Sequence, residues 1–290
     1  MTEHRLDFVA VGPMKTGTSW IHEYLDAHAQ VSVPTKLKET FYFTTNYEKG
    51  EDWYFSYVPE RSEGMRVGEV APTCFRFPES AGRISALNRQ CKIVVTLREP
   101  IDRLVSHYLH ARRAGVIDPQ TSFRDALAFE NIAEHARYFH HVSTWIQTFG
   151  RDNVAVLLYE QLRDEPQEFV DGLCRHLGID LMEIPEALTA RVGDRRVPVN
   201  RALAKASMGV KGLLRRVGLH GVVNTAKRMG AKDLVFTKQR LEFEPDPDDV
   251  AFAFDMFIED IQMLESSVGF DLTVWREAWA RRGLTEPVSG

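Results

Sequence analysis

Residues 9–25, VAVGPMKTGTSWIHEYL, limit the possible folds more than any other stretch of the chain. An apolar run ends at Gly12. A short loop carries Lys15 and Gly17. Thr18 and Ser19 then open a helical pattern with Trp20, Ile21, Tyr24 and Leu25 on one side. A short apolar run ended by glycine reads as a buried strand. A strand–glycine loop–helix unit aims backbone N–H groups and a helix N-terminus at one point, which favours an anion. Lys15 adds a point charge there, and the two hydroxyls add donors. An ordinary βα turn is the alternative reading. The nucleotide-triphosphate loop G-x-x-x-x-G-K-[ST] shares the glycine separation of Gly12 and Gly17, yet Thr18 occupies its lysine position and the lysine stands at Lys15.

The rest of the chain repeats this alternation. QVSVP, MRVGEVAP, CKIVVTL and NVAVLLY read as strands. Helices are expected at 18–28, 79–88, after Arg98 with Pro100 in the first turn, at 121–130, 136–149 and 165–178, and as one amphipathic helix over 246–269. Residues 36–59, KLKETFYFTTNYEKGEDWYFSYVP, are rich in aromatics, follow no clean period and read as a functional loop with a helical piece. The expected fold is α/β: a single P-loop-like domain over 1–290, with a central parallel sheet flanked by helices, a basic helical lid and a C-terminal helix.

Composition narrows the setting. A chain of 290 residues can bury one large core. A net charge of −5 argues against a nucleic-acid partner. No apolar run approaches the ~18–20 residues of a membrane span, and the start lacks the pattern of a signal peptide. Cys74, Cys91 and Cys174 form no CxxC pair and read as reduced thiols, so the expected location is cytoplasmic. Residues 191–240 are basic, with only Asp194 and Asp233 against many Lys and Arg. They read as a lid over an anion, as a surface for an anionic acceptor or membrane, or as a solvated helix.

A second motif, VVTLREPIDRLVSHY, ends a buried strand in Arg98 and presents Ser106 two turns into the next helix. An arginine at the carboxyl end of a parallel strand points into the ligand crevice, and its planar fork suits a phosphate monoester. Pairing of Arg98 with Glu99 or Asp102 is the alternative. No persuasive acidic residue ends a buried strand to hold magnesium, as a kinase needs; Glu160 is the weak exception.

Together the motifs carry a resemblance. PMKTGTSW resembles the 5′-phosphosulfate loop of the sulfotransferases, and REPIDRLVSHY resembles their 3′-phosphate motif. YEQLRDEPQEFVDGLCRHLGI and LESSVGFDLTVW extend the resemblance over most of the chain. The family implies the donor 3′-phosphoadenosine 5′-phosphosulfate (PAPS), the product adenosine 3′,5′-bisphosphate, and no metal. It implies that Lys15, Thr16, Gly17, Thr18 and Ser19 hold the 5′ end and that Arg98 and Ser106 hold the 3′-phosphate. Trp20 matches an adenine-contacting position and reads equally as a core aromatic. Arg195, Arg196 or Arg201 would complete the 3′-phosphate site if 191–240 closes as a lid.

Residues 36–59 are similar to a segment of the heparan-type glycan sulfotransferases and many bacterial relatives, in which a glutamate is the general base; the match is Glu39, beside Lys38. An acceptor hydroxyl or amine must lose a proton as it attacks sulfur, and the leaving phosphate develops charge that a lysine stabilises. A solvated KLKE run is the plainer alternative. The chain departs from that pattern at Phe41, where the family has histidine, and at Val70, where it has lysine, which puts a uronic-acid polysaccharide in doubt. Glu69 keeps its place as a possible second carboxylate, and His107 is a rival base. The expected function is sulfuryl transfer to a small-molecule, lipid or carbohydrate acceptor. A P-loop kinase of a small metabolite and a non-catalytic nucleotide-binding protein are the alternatives.

Overall fold

The computed structural model describes residues 5–58, 64–129, 132–189 and 243–285, together with the backbone of an antiparallel pair, Val197–Pro198 and Phe236–Thr237. Apart from that pair, the expected lid over 191–240, with Arg195 and Arg196, lies outside the described residues.

Five strands form one parallel sheet: β1 (Phe8–Val11), β2 (Val31–Ser32), β3 (Arg66–Val70), β4 (Lys92–Leu97) and β5 (Val154–Leu158), in the order β2-β3-β1-β4-β5. The chain enters the sheet at the central strand β1, runs to the edge strand β2, returns to β3 beside β1, then crosses to β4 on the other side of β1. The crevice outside the carboxyl ends of β1 and β4 is therefore the topological switch point, where open α/β sheets bind ligands.

Alternation along β1 divides the core in two. Val9 and Val11 join Ile93, Val95 and Leu97 on one face, whereas Phe8 and Ala10 join Val70 and Val94 on the other. The second face is covered by α1 (Thr18–Ala27) and α8 (Pro166–Leu177), through Ile21, Tyr24, Phe169 and Leu173. The first is covered by α4 (Pro100–Ala114) and α6 (Tyr138–Phe149), through Leu104, Tyr108, Val142 and Trp145. Burial on both faces accounts for strands that read as apolar runs. β5 is the exception: as an edge strand it fully buries only Val154.

The remaining described helices are α2 (Glu51–Phe55), α3 (Pro78–Leu87), α5 (Phe123–Leu127), α7 (Tyr159–Asp164), α9 (Glu186–Thr189), α10 (Pro247–Asp255), α11 (Ile258–Val268) and α12 (Thr273–Arg281). The expected single helix over 246–269 is two helices. Phe257, between them, is buried against Phe254, so the chain breaks to bring both rings into the core. No glycine or proline marks that break. α12 was not expected as a helix, and it buries Trp275 and Trp279.

Candidate functional site

The loop after β1 is held by its own side chains. Thr16 Oγ1 donates to the Pro13 carbonyl (2.9 Å), and the Thr96 hydroxyl at the end of β4 donates to Thr16 Oγ1 (2.8 Å). Thr16 is fully buried, and its hydroxyl is committed to these two bonds. Gly12, at φ +143°, lies so close to β4 that a Cβ would sit 2.5 Å from the Thr96 carbonyl oxygen. Lys15 and Gly17 are also left-handed, at φ +82° and +88°. For lysine that backbone is strained and persists only where surrounding contacts impose it. The outcome is a tight turn feeding the N-terminus of α1, where Thr18 is buried and Ser19 is exposed.

Arg98 follows β4 directly. It is 5% exposed, its guanidinium lies 4.6 Å over the Tyr159 ring, and Nη1 reaches the Lys15 carbonyl at 3.5 Å. Nη2 stands 3.7 Å from Asp102, too far for a strong hydrogen bond. Nε is buried with no partner. A buried guanidinium whose donors are underused is costly unless it meets an anion. Ser106, eight residues on in α4, is nearly buried.

Positive charge is concentrated here while nearby histidines stay neutral. Burial, then Arg103 and other cations including Lys15, push His107 down to about 3. Burial and Lys15 push His110 down to about 4. His107 shares a 3.3 Å contact with Arg103 and packs edge-on against His135, so this rival base is occupied inside the fold. Glu160, the candidate magnesium ligand, accepts from the Glu99 N–H (2.9 Å) and from Trp275 Nε1 (3.0 Å), so both its oxygens brace the interior. Among the described residues no group of three or more His, Cys, Asp or Glu is arranged to hold a metal.

The segment bearing Lys38 and Glu39 reaches the same crevice from the β3 side. Lys38 Nζ donates to Ser19 Oγ (3.0 Å) and approaches Thr18 Oγ1 (3.4 Å), joining this segment to the start of α1. Glu39 Oε1 accepts from the Thr73 N–H (2.9 Å), and burial raises its pKa above the ordinary glutamate value, against the pull of Thr73 and Lys38. Next to it, Thr40 donates its N–H and its hydroxyl to Glu69, which is fully buried on β3. Burial raises Glu69 to about 7, opposed by the Thr40 bonds and reinforced by the Glu39 charge. A half-buried carboxylate with a raised pKa, beside a lysine and an anion-favouring loop, has the character of a general base.

The structure thus brings Lys15, Thr16, Gly17, Thr18, Ser19, Lys38 and Arg98 around one crevice. Trp20 is committed to the core: its indole stacks on Tyr24 (5.8 Å, 6°) and Nε1 donates to the Leu188 carbonyl (3.1 Å). Sequence reading missed Thr73, which holds Glu39 through its backbone and so leaves no side-chain signal. It also missed Thr96 and Tyr159; the hydroxyl ending an otherwise apolar β4 was the one available hint for Thr96.

Residues 5–199 match the sulfotransferase domain family. The chain is 28% identical over 201 residues to the bifunctional heparan sulfate N-deacetylase/N-sulfotransferase 1 of Caenorhabditis briggsae, covering 62% of this chain and 23% of the relative. It is 29% identical over 194 residues to enzyme 2 of that name from Homo sapiens, covering 59% and 22%. The chain therefore spans about a quarter of the length of these relatives. Its fold resembles the crystal structure of a sulfotransferase from Alicyclobacillus acidocaldarius, with TM-score 0.69 and 22% identity over 94% of this chain and 99% of that one. With more than half of its length matched, the chain belongs to the sulfotransferase family.

Proposed function

We propose that the protein transfers a sulfuryl group from PAPS to a hydroxyl or amine of a small-molecule, lipid or carbohydrate acceptor. The observation that carries this reading is Arg98: a buried guanidinium with an unpartnered Nε, beside the strained Lys15 loop, at the ends of the two central strands. PAPS, when bound, supplies an activated sulfuryl group and leaves as adenosine 3′,5′-bisphosphate. Lys15 and the N–H groups of Thr16, Gly17, Thr18 and Ser19 hold its 5′ end. Arg98 and Ser106 hold the 3′-phosphate, and Arg195 and Arg196, outside the described residues, are the candidates for further charge against it. Trp20 serves as packing for α1.

Glu39 accepts the acceptor's proton. Its raised pKa makes it a stronger base than an exposed glutamate, and Thr73 fixes its orientation. Lys15, joined by Lys38 beside Ser19, neutralises the charge that develops on the leaving phosphate. Holding the reactants in line at fixed charges supplies most of the rate in such a design. In this reading 1–290 act as one domain in the cytoplasm, an assignment supported by three buried free thiols. No helix among the described residues is long and apolar enough to cross a membrane.

Calorimetry tests the donor: adenosine 3′,5′-bisphosphate is expected to bind far more tightly than ATP with magnesium. Tight binding of ATP–magnesium alone overturns the reading in favour of a kinase. Consumption of PAPS across an acceptor panel tests turnover, and its absence with every acceptor favours a binding protein.

A further inference from the structure

Arg98 is one of two cations that approach Asp102, and the second, Arg282, comes from beyond the family match. Arg282, just past α12, donates Nη2 to Asp102 Oδ1 at 2.6 Å and Nη1 to Glu99 Oε2 at 2.9 Å. Trp279 Nε1 donates to Glu99 Oε1 at 2.8 Å. Glu99 also caps α4, accepting from the N–H groups of Ile101 (3.0 Å) and Asp102 (2.8 Å). One buried carboxylate thus takes four donors, two from the start of α4 and two from the far end of the chain.

The backbone at Arg98 is braced as closely. Tyr138 donates its hydroxyl to the Arg98 carbonyl (2.8 Å), and Glu160 accepts the Glu99 N–H while holding Trp275 of α12. α12 therefore grips the turn that presents Arg98 at two points, Glu99 and Glu160.

The distances at Asp102 decide what this grip does. Asp102 lies 2.6 Å from Arg282 and 3.7 Å from Arg98. A carboxylate pairs with the guanidinium that meets it at hydrogen-bond length. Arg282 holds Asp102 through Oδ1 while Oδ2 stands 3.7 Å from Arg98 Nη2, so the donors of Arg98 stay directed to the crevice. Without Arg282, Asp102 is one rotamer change from pairing with Arg98 and neutralising it. We propose that Arg282, supported by Trp279, is a positioning residue that holds Asp102 and Glu99 so that Arg98 stays available to a ligand phosphate. This rests on the donor reading above, in which that phosphate is the 3′-phosphate.

The experiment compares the affinities of adenosine 3′,5′-bisphosphate and adenosine 5′-monophosphate, which differ only in the phosphate assigned to Arg98. Wild type is expected to prefer the bisphosphate. Arg282→Gln is expected to weaken the bisphosphate about tenfold, the scale of one charge partner at a partly exposed site, and to leave the monophosphate unchanged. Arg282→Lys retains most of the preference. Adding Asp102→Asn to Arg282→Gln removes the competing carboxylate and restores bisphosphate affinity, a rescue that a purely structural role does not give.

Equal preference in wild type and Arg282→Gln overturns the inference alone. So does a loss for both nucleotides that Asp102→Asn leaves unrepaired. A wild type that does not distinguish the nucleotides overturns the donor reading, and this inference with it. If Arg282→Gln fails to fold, Trp279→Phe, which removes one donor to Glu99, is expected to lower the same preference by a smaller factor; an unchanged preference there counts against the inference.

Discussion

The two sides of the crevice are built in different ways. On the β1–β4 side, the Lys15 loop and Arg98 grow directly from the two central strands and are cross-braced by Thr16, Thr96, Tyr138 and Glu99. On the β3 side, the segment bearing Glu39 is tied by side chains: Glu39 to Thr73, Thr40 to Glu69, Lys38 to Ser19, and Ser80 and Arg83 to the carbonyl of the buried Phe43. Behind it stands an aromatic cluster in which Tyr42 and Tyr54 stack at 4.8 Å, and in front Phe41 is exposed and left-handed at φ +56°. The first side suits a ligand of fixed charge, because rigid backbone donors need no reorganisation to meet it. The second can change its surface without disturbing the sheet, as expected where loops decide which partner fits.

The largest expected effect breaks chemistry from binding. Glu39→Gln keeps the shape of the side chain and removes the proposed base. Turnover is expected to fall by roughly 10²–10⁴-fold, the usual contribution of a positioned acid or base. Affinity for adenosine 3′,5′-bisphosphate is expected to stay within a factor of about two, since the two sides are separately braced. Equal loss of both quantities would mean that the sides form one unit and that the comparison is wrong.

Next comes the rigidity of the donor side. In Gly12→Ala the new Cβ meets the Thr96 carbonyl oxygen at 2.5 Å and Thr96 Oγ1 at 2.6 Å, and the first of these is backbone within the sheet. The strand pair must separate, and alanine must hold φ +143°. Overpacking and backbone strain together suggest a loss of about 2–4 kcal/mol. Chemical denaturation reads this loss, with weaker bisphosphate binding as its companion. A stable variant with full affinity would show that the loop tolerates displacement.

The same contrast decides what was legible in the sequence. The loop over 12–19 and the Arg98 turn follow local rules, glycine spacing and an arginine after an apolar strand, so their positions could be read from adjacent residues. Long-range bonds had no such signature. Thr73 holds Glu39 through a backbone N–H, and Glu99 meets Trp279 and Arg282 across 180 or more residues of chain. The break at Phe257 was hidden because it answers to core packing rather than to a helix-ending residue. Trp20 shows the limit from the other direction: its spacing permitted both a ligand contact and a core position, and only the Leu188 bond and the Tyr24 stack separate them.

The smallest expected effect probes how the Glu39 segment is held. Glu69 titrates near 7 in the folded protein, above the ordinary glutamate value of 4.5, with burial as the main cause. The folded state therefore binds this proton more tightly than the unfolded chain does. Its stabilising contribution is complete below about pH 4.5, declines as pH rises towards 7, and is gone above that. Glu69→Gln removes this titration while keeping an acceptor for Thr40. Wild type is expected to lose about 1–3 kcal/mol relative to Glu69→Gln between pH 5 and pH 8, an order-of-magnitude range set by the size of the shift. The raised pKa of Glu39 has the same sign in both proteins, and part of it cancels in the comparison. Stability curves that run parallel from pH 5 to pH 8 would show that the Thr40 bonds fully offset the burial of Glu69. The segment would then be held at neutral pH by an ionised carboxylate, and the β3 side would be as firmly anchored as the β1–β4 side.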